Sequence, residues 1–228
     1  AAAAEITKDK YDGYLAAPLV EEGVRRLLAE LPPGAPVLFF DTDLKDSSRT
    51  AYIGQDSRLS GKLAAKLMKM LAGNCKGGEF LVISPDTHNI HLDDRIDGFR
   101  ENVPCRIRVM RTVIEAEKRR ELFYNKLESS INSETIGIFV VDASAHYAAD
   151  YFVEKGIKLP LIGFDLVEEN IKRLSDETID FILTQCPSDQ GYRGIRLLYR
   201  MLMLDDEVSG DIIMPIDIIT AENINRQQ

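Results

Sequence analysis

A chain of 228 residues is long enough for one large domain or two modest ones. Its hydrophobic content of 45% and charged content of 29% exclude wholesale disorder, collagen and coiled coil. Asp and Glu number 37 against 28 Lys and Arg, a formal charge of −9 that disfavours direct contact with duplex phosphates and with anionic membrane surfaces.

In chain order the sequence predicts a strand over Gly13–Ala17, a helix over Glu21–Glu30, strands over Val37–Asp41 and Ala51–Gly54, and a helix over Leu59–Leu71. Strands follow over Phe80–Ser84 and Arg106–Arg111, then a helix over Glu115–Leu127, a strand over Gly137–Val141 and a helix over Ala145–Lys155. The series closes with strands over Leu161–Phe164 and Phe181–Thr184, a helix over Asp189–Met203 and a strand over Ile212–Met214. The strands are β-branched, aromatic and nearly continuous in apolar character, which suits parallel strands buried on both faces. In the second helix Leu59, Leu63, Leu67 and Met70 follow the helical period, with Lys62, Lys66 and Lys69 offset from it. Gly73 and Gly156 are placed to stop helices. The fold class is α/β, doubly wound, with right-handed crossovers. One sheet, or two sheets with a cleft between domains, both fit this pattern.

Several chemistries lack their residues. The stretch Gly73–Gly78 comes nearest to a phosphate-binding loop but has no lysine and hydroxyl at the required offsets. No GxGxxG follows a strand, and there is no GxSxG nucleophile elbow. His88 and His91 lie near Asp93 and Asp94; a polar loop before a helix capped by Asp93 or Asp94 is favoured over a metal site. His146, early in a helix, reads as a rim residue rather than a base. The expectation is therefore a protein without catalysis, metal or cofactor. Cys75, Cys105 and Cys186 are odd in number, widely spaced and without a CxxC, the pattern of reduced thiols in a cytoplasmic protein. No apolar run reaches the roughly 18 residues of a membrane helix, and Ala1–Ala4 does not begin a signal peptide.

Ligands of open α/β sheets lie beyond the carboxyl ends of the strands. There this sequence places Asp41, Asp56, Asp142, Asp165 and Gln185, with Arg95 downstream of another strand end. Asp56 and Asp142 also suit helix N-caps, Arg95 a surface charge and Phe164 the core. Taken together, the set reads as a ring of groups for a small polyhydroxylated molecule: carboxylates accept from hydroxyl pairs, the guanidinium donates, and Phe164 covers an apolar sugar face.

Further segments point the same way. They are Asp12–Pro18, Pro36–Asp41, Tyr52–Ala65, Arg95-Ile-Asp-Gly98-Phe99, Ile162-Gly-Phe-Asp165, Gln185–Gly191 and Met214–Ile218. In this order they resemble the effector-binding region of LacI/GalR transcription regulators, and that of their relatives, the type I periplasmic sugar-binding proteins. Tyr192 and the Met214–Ile218 stretch look most like regulators of Bacteroides-type bacteria. The resemblance implies two doubly wound lobes with a cleft between them. The first lobe is expected from 1–78 and 187–208, the second from 79–186 and 209–228. It implies ligand contacts from Asp41, Asp56, Arg95, Phe164, Asp165 and Gln185. Asp142 departs from the family's usual asparagine: a carboxylate only accepts, whereas an amide also donates. The resemblance also implies a carbohydrate effector, a homodimer, a cytoplasmic location without membrane contact, and operator DNA bound by a helix-turn-helix outside this chain. The alternative it leaves open is a periplasmic sugar-binding protein of a transporter or sensor.

Overall fold

The computed structural model describes residues 11–73, 75, 77–87, 89–113, 120–208 and 210–224. The elements run β1 (Tyr14–Ala16), α1 (Glu21–Glu30), β2 (Val37–Phe40), β3 (Ala51–Gly54), α2 (Ser57–Ala72), β4 (Glu79–Pro85), α3 (Ile90–Arg100), β5 (Arg106–Thr112) and α4 (Arg120–Ser130). They continue β6 (Thr135–Val140), α5 (Ala145–Lys155), β7 (Leu161–Phe164), α6 (Glu168–Ser175), β8 (Phe181–Thr184), α7 (Pro187–Leu204), β9 (Ile212–Ile213) and β10 (Asp217–Ile219). The chain divides into two compact units, one of residues up to Asp56 with Gln185–Pro215, the other of Ser57–Thr184 with the residues from Ile216.

The first unit is a parallel sheet in the order β1-β2-β3-β9. One face packs Tyr14, Val37, Phe39 and Tyr52 with Val24 and Leu28 of α1. The other packs Leu38, Ala51 and Ile53 with Leu197, Leu198 and Met201 of α7. Its loops are tied by a double fork: Arg49 donates to Asp43 at 2.5 and 2.8 Å and to Asp211 at 2.6 and 3.0 Å, while Asp211 also accepts from the Tyr52 amide at 2.9 Å. Burial opposes the Arg49 charge, yet the hydrogen bonds to Asp211 and Asp43 outweigh it and hold the guanidinium above its ordinary value.

The second unit is a sheet in the order β10-β8-β7-β6-β4-β5, parallel except for β10. Apolar clusters fill both faces, as continuous apolar strands require. The first boundary between units falls after Asp56 rather than at 78, which corrects the expected lobe limits. The reason is the packing of α2. Ala64, Ala65, Leu67 and Met68 join Phe80, Phe99 and Phe139 in the second unit's core. The buried face of α2 is therefore its small-residue face, and Leu59 and Met70 of the predicted stripe are exposed. Small residues win because α2 meets α3 almost backbone to backbone. A Cβ at Gly61 would stand 2.0 Å from the Arg95 carbonyl oxygen, and one at Gly98 2.0 Å from that of Arg58.

Three sequence readings change here. Cys75 and Cys105 form a disulfide, so the reading of unpaired thiols is corrected for this pair. The parallel pairing of Glu79 with Arg106 is what brings the two cysteines together, and a 30-residue separation hides it. The helix before Arg100 starts at Ile90 and is capped by Asn89, whose side chain accepts from the His91 amide at 3.0 Å; Asp93 and Asp94 lie inside it. The predicted helix over Glu115–Leu127 is found from Arg120 onward, residues 114–119 and His88 lying outside the described residues. Gly156 does end α5, in the left-handed conformation at φ 65°.

Gly98→Ala should cost about 3 kcal/mol in urea unfolding, because two helix backbones must separate to admit one methyl. Asp211 carries a second expectation. Its hydrogen bond from Arg49 holds its pKa below the ordinary carboxylate range. A depressed pKa gives stability that is present above the unfolded value and lost as pH falls through the folded one. Asp211→Asn should therefore lose about 1 kcal/mol at pH 7, discounted for partial exposure. Thermal melts should show the gap to wild type closing in acid.

Candidate functional site

In the second unit the strand order reverses at β4, with β5 on one side and β6, β7 and β8 on the other. Such a reversal opens a crevice beyond the carboxyl ends of the strands. Arg95 projects from α3, which follows β4. The side chain is buried; its Nη1 donates to the Val141 carbonyl at 2.8 Å, and its Cζ lies 3.9 Å from the centre of the Phe164 ring. A desolvated guanidinium over an aromatic face gains about 2 kcal/mol, which offsets part of its dehydration. Phe164 is itself fully buried, at van der Waals range of Phe139 in the core. The Phe164 ring therefore meets the Arg95 guanidinium.

Asp142 follows β6 by two residues. Its Oδ1 accepts from the Ser144 amide at 3.1 Å and from the Ser144 hydroxyl. It makes an Asx turn before α5 rather than serving as the cap residue itself, which is Ser144. Burial pushes the Asp142 carboxyl above its ordinary range; the Ser144 hydrogen bonds and the charge of Arg95 oppose the shift. Asp142 also borders a cavity of about 460 Å³ with Asp86, Thr112, Ser144, His146 and Glu169. That volume is in the range of small-molecule sites.

Asp165 follows β7 and stands at φ 61°, with its amide donating to the Leu183 carbonyl at 2.9 Å. In the first unit Asp41 follows β2 in the same way. It too stands at φ 61°, and its amide donates to the Ile53 carbonyl at 3.1 Å. Non-glycine residues at positive φ cost on the order of 1–3 kcal/mol, and aspartate is among the few that tolerate it. Two parallel strands thus end in the same strained aspartate, each turned out of the strand line.

Both are held by amides that the sequence reading did not single out. Asn170 is fully buried on α6 and donates through Nδ2 to the Ala143, Phe164 and Asp165 carbonyls, each at 3.0 Å. Its Oδ1 accepts from the His146 amide at 2.8 Å. It thereby clamps the loops after β6 and β7. In the first unit Gln190, buried in the first turn of α7, accepts from the Asp41 amide at 2.8 Å and donates to the Gln185 carbonyl at 2.8 Å. Gln185 in turn donates through Nε2 to Asp41 Oδ1 at 2.6 Å, and Tyr52 donates to the Asp41 carbonyl at 3.0 Å. The available signal was an uncharged amide inside a helix whose neighbours are charged, as in Glu-Glu-Asn170 and Ser-Asp-Gln190.

The expected set thus gathers as Asp41 with Gln185 in one unit, and as Arg95 with Phe164 and the Asp142 turn in the other. Asp165 joins the latter through Asn170. Asp56 lies exposed just beyond Gln55. Among the described residues, no group of three or more His, Cys, Asp or Glu is placed to hold a metal ion. The arrangement offers acceptors, one held guanidinium and amides.

Two α/β units of parallel strands with polar groups at the strand ends define a class of ligand-binding proteins. The chain belongs to the periplasmic binding protein domain family, whose model matches residues 3–206. Among solved structures it is similar to a candidate LacI transcriptional regulator from Bacteroides fragilis, with 25% identity and a TM-score of 0.84 over 94% of this chain and 77% of that one. It is also similar in fold to an ABC transporter solute-binding protein from Burkholderia graminis in complex with D-arabinose (22%, TM-score 0.81, 93% and 76% covered). A glucose-galactose binding protein from Geobacillus stearothermophilus shares the fold as well (23%, TM-score 0.78, 98% and 80% covered). No curated protein sequence matches the chain.

The raised Asp142 pKa has a sign that can be tested. Ionisation of this group opposes folding, so its contribution is full in acid and is lost as pH rises through the raised folded value. Asp142→Asn keeps the acceptor for Ser144 and removes the charge. It should melt with wild type in acid and a few degrees above it at pH 7 by calorimetry.

Proposed function

We propose that this chain binds a small carbohydrate and serves as the effector-binding domain of a LacI-type transcription regulator. The observation that carries the carbohydrate reading is that each unit, taken by itself, holds a polar group at its strand ends: in the first, Asp41 held by Gln185 and Gln190; in the second, Arg95 held by Phe164 and the Val141 carbonyl. Fixed acceptors and a fixed donor cost little to order when hydroxyls bind them. Similar folds that carry D-arabinose, D-fucose or a glucose-galactose specificity support the same class of ligand. The regulator reading is supported by the likeness to the Bacteroides fragilis protein. On this reading the protein is cytoplasmic, has no catalytic step, and meets operator DNA through a region other than this one. The charge of −9 suits that separation.

A second reading, an exported sugar-binding protein of a transporter or sensor, is favoured by one observation, the Cys75–Cys105 disulfide. Disulfides persist chiefly in oxidising compartments. The coding sequence upstream of residue 1 discriminates the two: a helix-turn-helix supports the regulator, a signal peptide the exported protein.

Binding is tested by titration calorimetry against D-arabinose, D-fucose, D-galactose and D-glucose. Arg95→Ala and Asp165→Asn should each weaken the best ligand at least about tenfold, or about 1.4 kcal/mol, with the circular dichroism of the wild type retained. Asparagine is chosen at 165 because it tolerates positive φ. Unchanged affinity in both variants would sink the assignment.

A further inference from the structure

Cys75 stands just beyond the end of α2, and Cys105 immediately precedes β5, the edge strand of the second unit's sheet. Their bond, with Cα atoms 5.7 Å apart, closes a ring that takes in the whole of β4 and α3. Arg95 is carried inside that ring. So is Gly98, whose close backbone approach seats α3 on α2. The disulfide is thus a covalent tie between the end of α2 and the segment that presents the buried guanidinium.

The bond is reachable. Both cysteines are half-buried, and Cys75 lies between Gly73 and Gly77, which are exposed and have open space where a side chain would stand. The core beside it is closed by other residues. Met68, Phe80, Phe99 and Phe139 are fully buried, and the two cysteines rest at the margin of that cluster with Leu71, Val103 and Ile107. A chain without the bond therefore keeps a folded core from which the bond can form again. Accessible disulfides are the labile and regulatory ones, and those found in cytoplasmic proteins are mostly transient and redox-sensing.

We propose that Cys75–Cys105 is a reversible thiol switch on the ligand site: oxidised, it clamps α3 and Arg95; reduced, it releases them and weakens ligand binding. The proposal rests on the cytoplasmic regulator reading, since an exported protein would keep the bond closed. The reductant is a thiol, either glutathione or a dithiol oxidoreductase. Its thiolate attacks one sulfur, the S–S bond breaks, and the electron pair leaves on the other sulfur, which takes up a proton. A second thiol resolves the mixed disulfide. The protein gains two electrons and two protons, and the reductant leaves as its own disulfide. Release lowers the fraction of chains with Arg95 in place, and the apparent affinity falls by that fraction.

The purified chain is equilibrated in glutathione buffers of graded ratio, and differential alkylation with mass spectrometry reads Cys75 and Cys105. Half-reduction should fall within the range of these buffers and reverse when oxidised glutathione is restored. The reduced chain should stay folded, melt about 5–10 °C lower, and exchange α3 amide hydrogens at least about tenfold faster, with α5 unchanged. Calorimetry with the best-binding sugar should show affinity lower by about fivefold or more. The double variant Cys75→Ser/Cys105→Ser should match the reduced wild type and ignore the buffer ratio. A pair that stays oxidised in every glutathione buffer overturns the proposal, as does one that never closes. So does reduction that unfolds the chain irreversibly, or that leaves α3 exchange as it was. The exchange measurement needs no ligand, so a failure of all four sugars to bind counts against the carbohydrate reading while α3 exchange still decides the switch.

Discussion

The second unit depends on a contact that contains no side chain. Where α2 crosses α3, Gly61 and Gly98 let backbone meet backbone, and a single methyl at either would sit 2.0 Å from a carbonyl oxygen. That approach fixes α3, and α3 carries Arg95. The guanidinium then reaches the Phe164 ring and the Val141 carbonyl without stretching. Burying a guanidinium is costly unless its partners stand ready. The glycine contact therefore sets the geometry that makes a buried arginine tolerable.

The same logic recurs at the two strained aspartates. A residue at positive φ leaves the strand direction abruptly and persists only where its surroundings over-determine it. At Asp165 the determining group is Asn170, which bonds three carbonyls at once. At Asp41 it is Gln190 with Tyr52. Each unit thus presents an aspartate at a strand end and holds its backbone with a buried helix amide, Asn170 of α6 for Asp165 and Gln190 of α7 for Asp41. Rigid loops of this kind lose little entropy on binding, the usual requirement for recognising a small, heavily hydrated molecule.

Much of the fold was legible along the chain. The strands over Ala51–Gly54, Leu161–Phe164 and Phe181–Thr184 and the helices over Glu21–Glu30 and Ala145–Lys155 fall where the apolar period puts them. The helix α6 and the antiparallel strand β10 were not anticipated, α6 because its short sequence is mostly charged and polar, β10 because Asp217–Ile219 is only three residues long. The site residues were legible as positions, since polar groups just after apolar strands stand out. Their partners were not. Asn170 and Gln190 read as ordinary surface amides, and only the loops folded around them make them central.

Composition and periodicity alone determined that this is a parallel α/β protein, because strands buried on both faces must be apolar throughout. They also determined that its polar groups gather at strand ends, because no other place in such a strand admits them. Tertiary structure alone decided which face of α2 is buried, that α2 belongs with the second unit, and that Cys75 meets Cys105. The physical reason is common to all three. Each is settled by what a segment meets from a distant part of the chain, and hydrophobic period specifies that a face is buried, not against what.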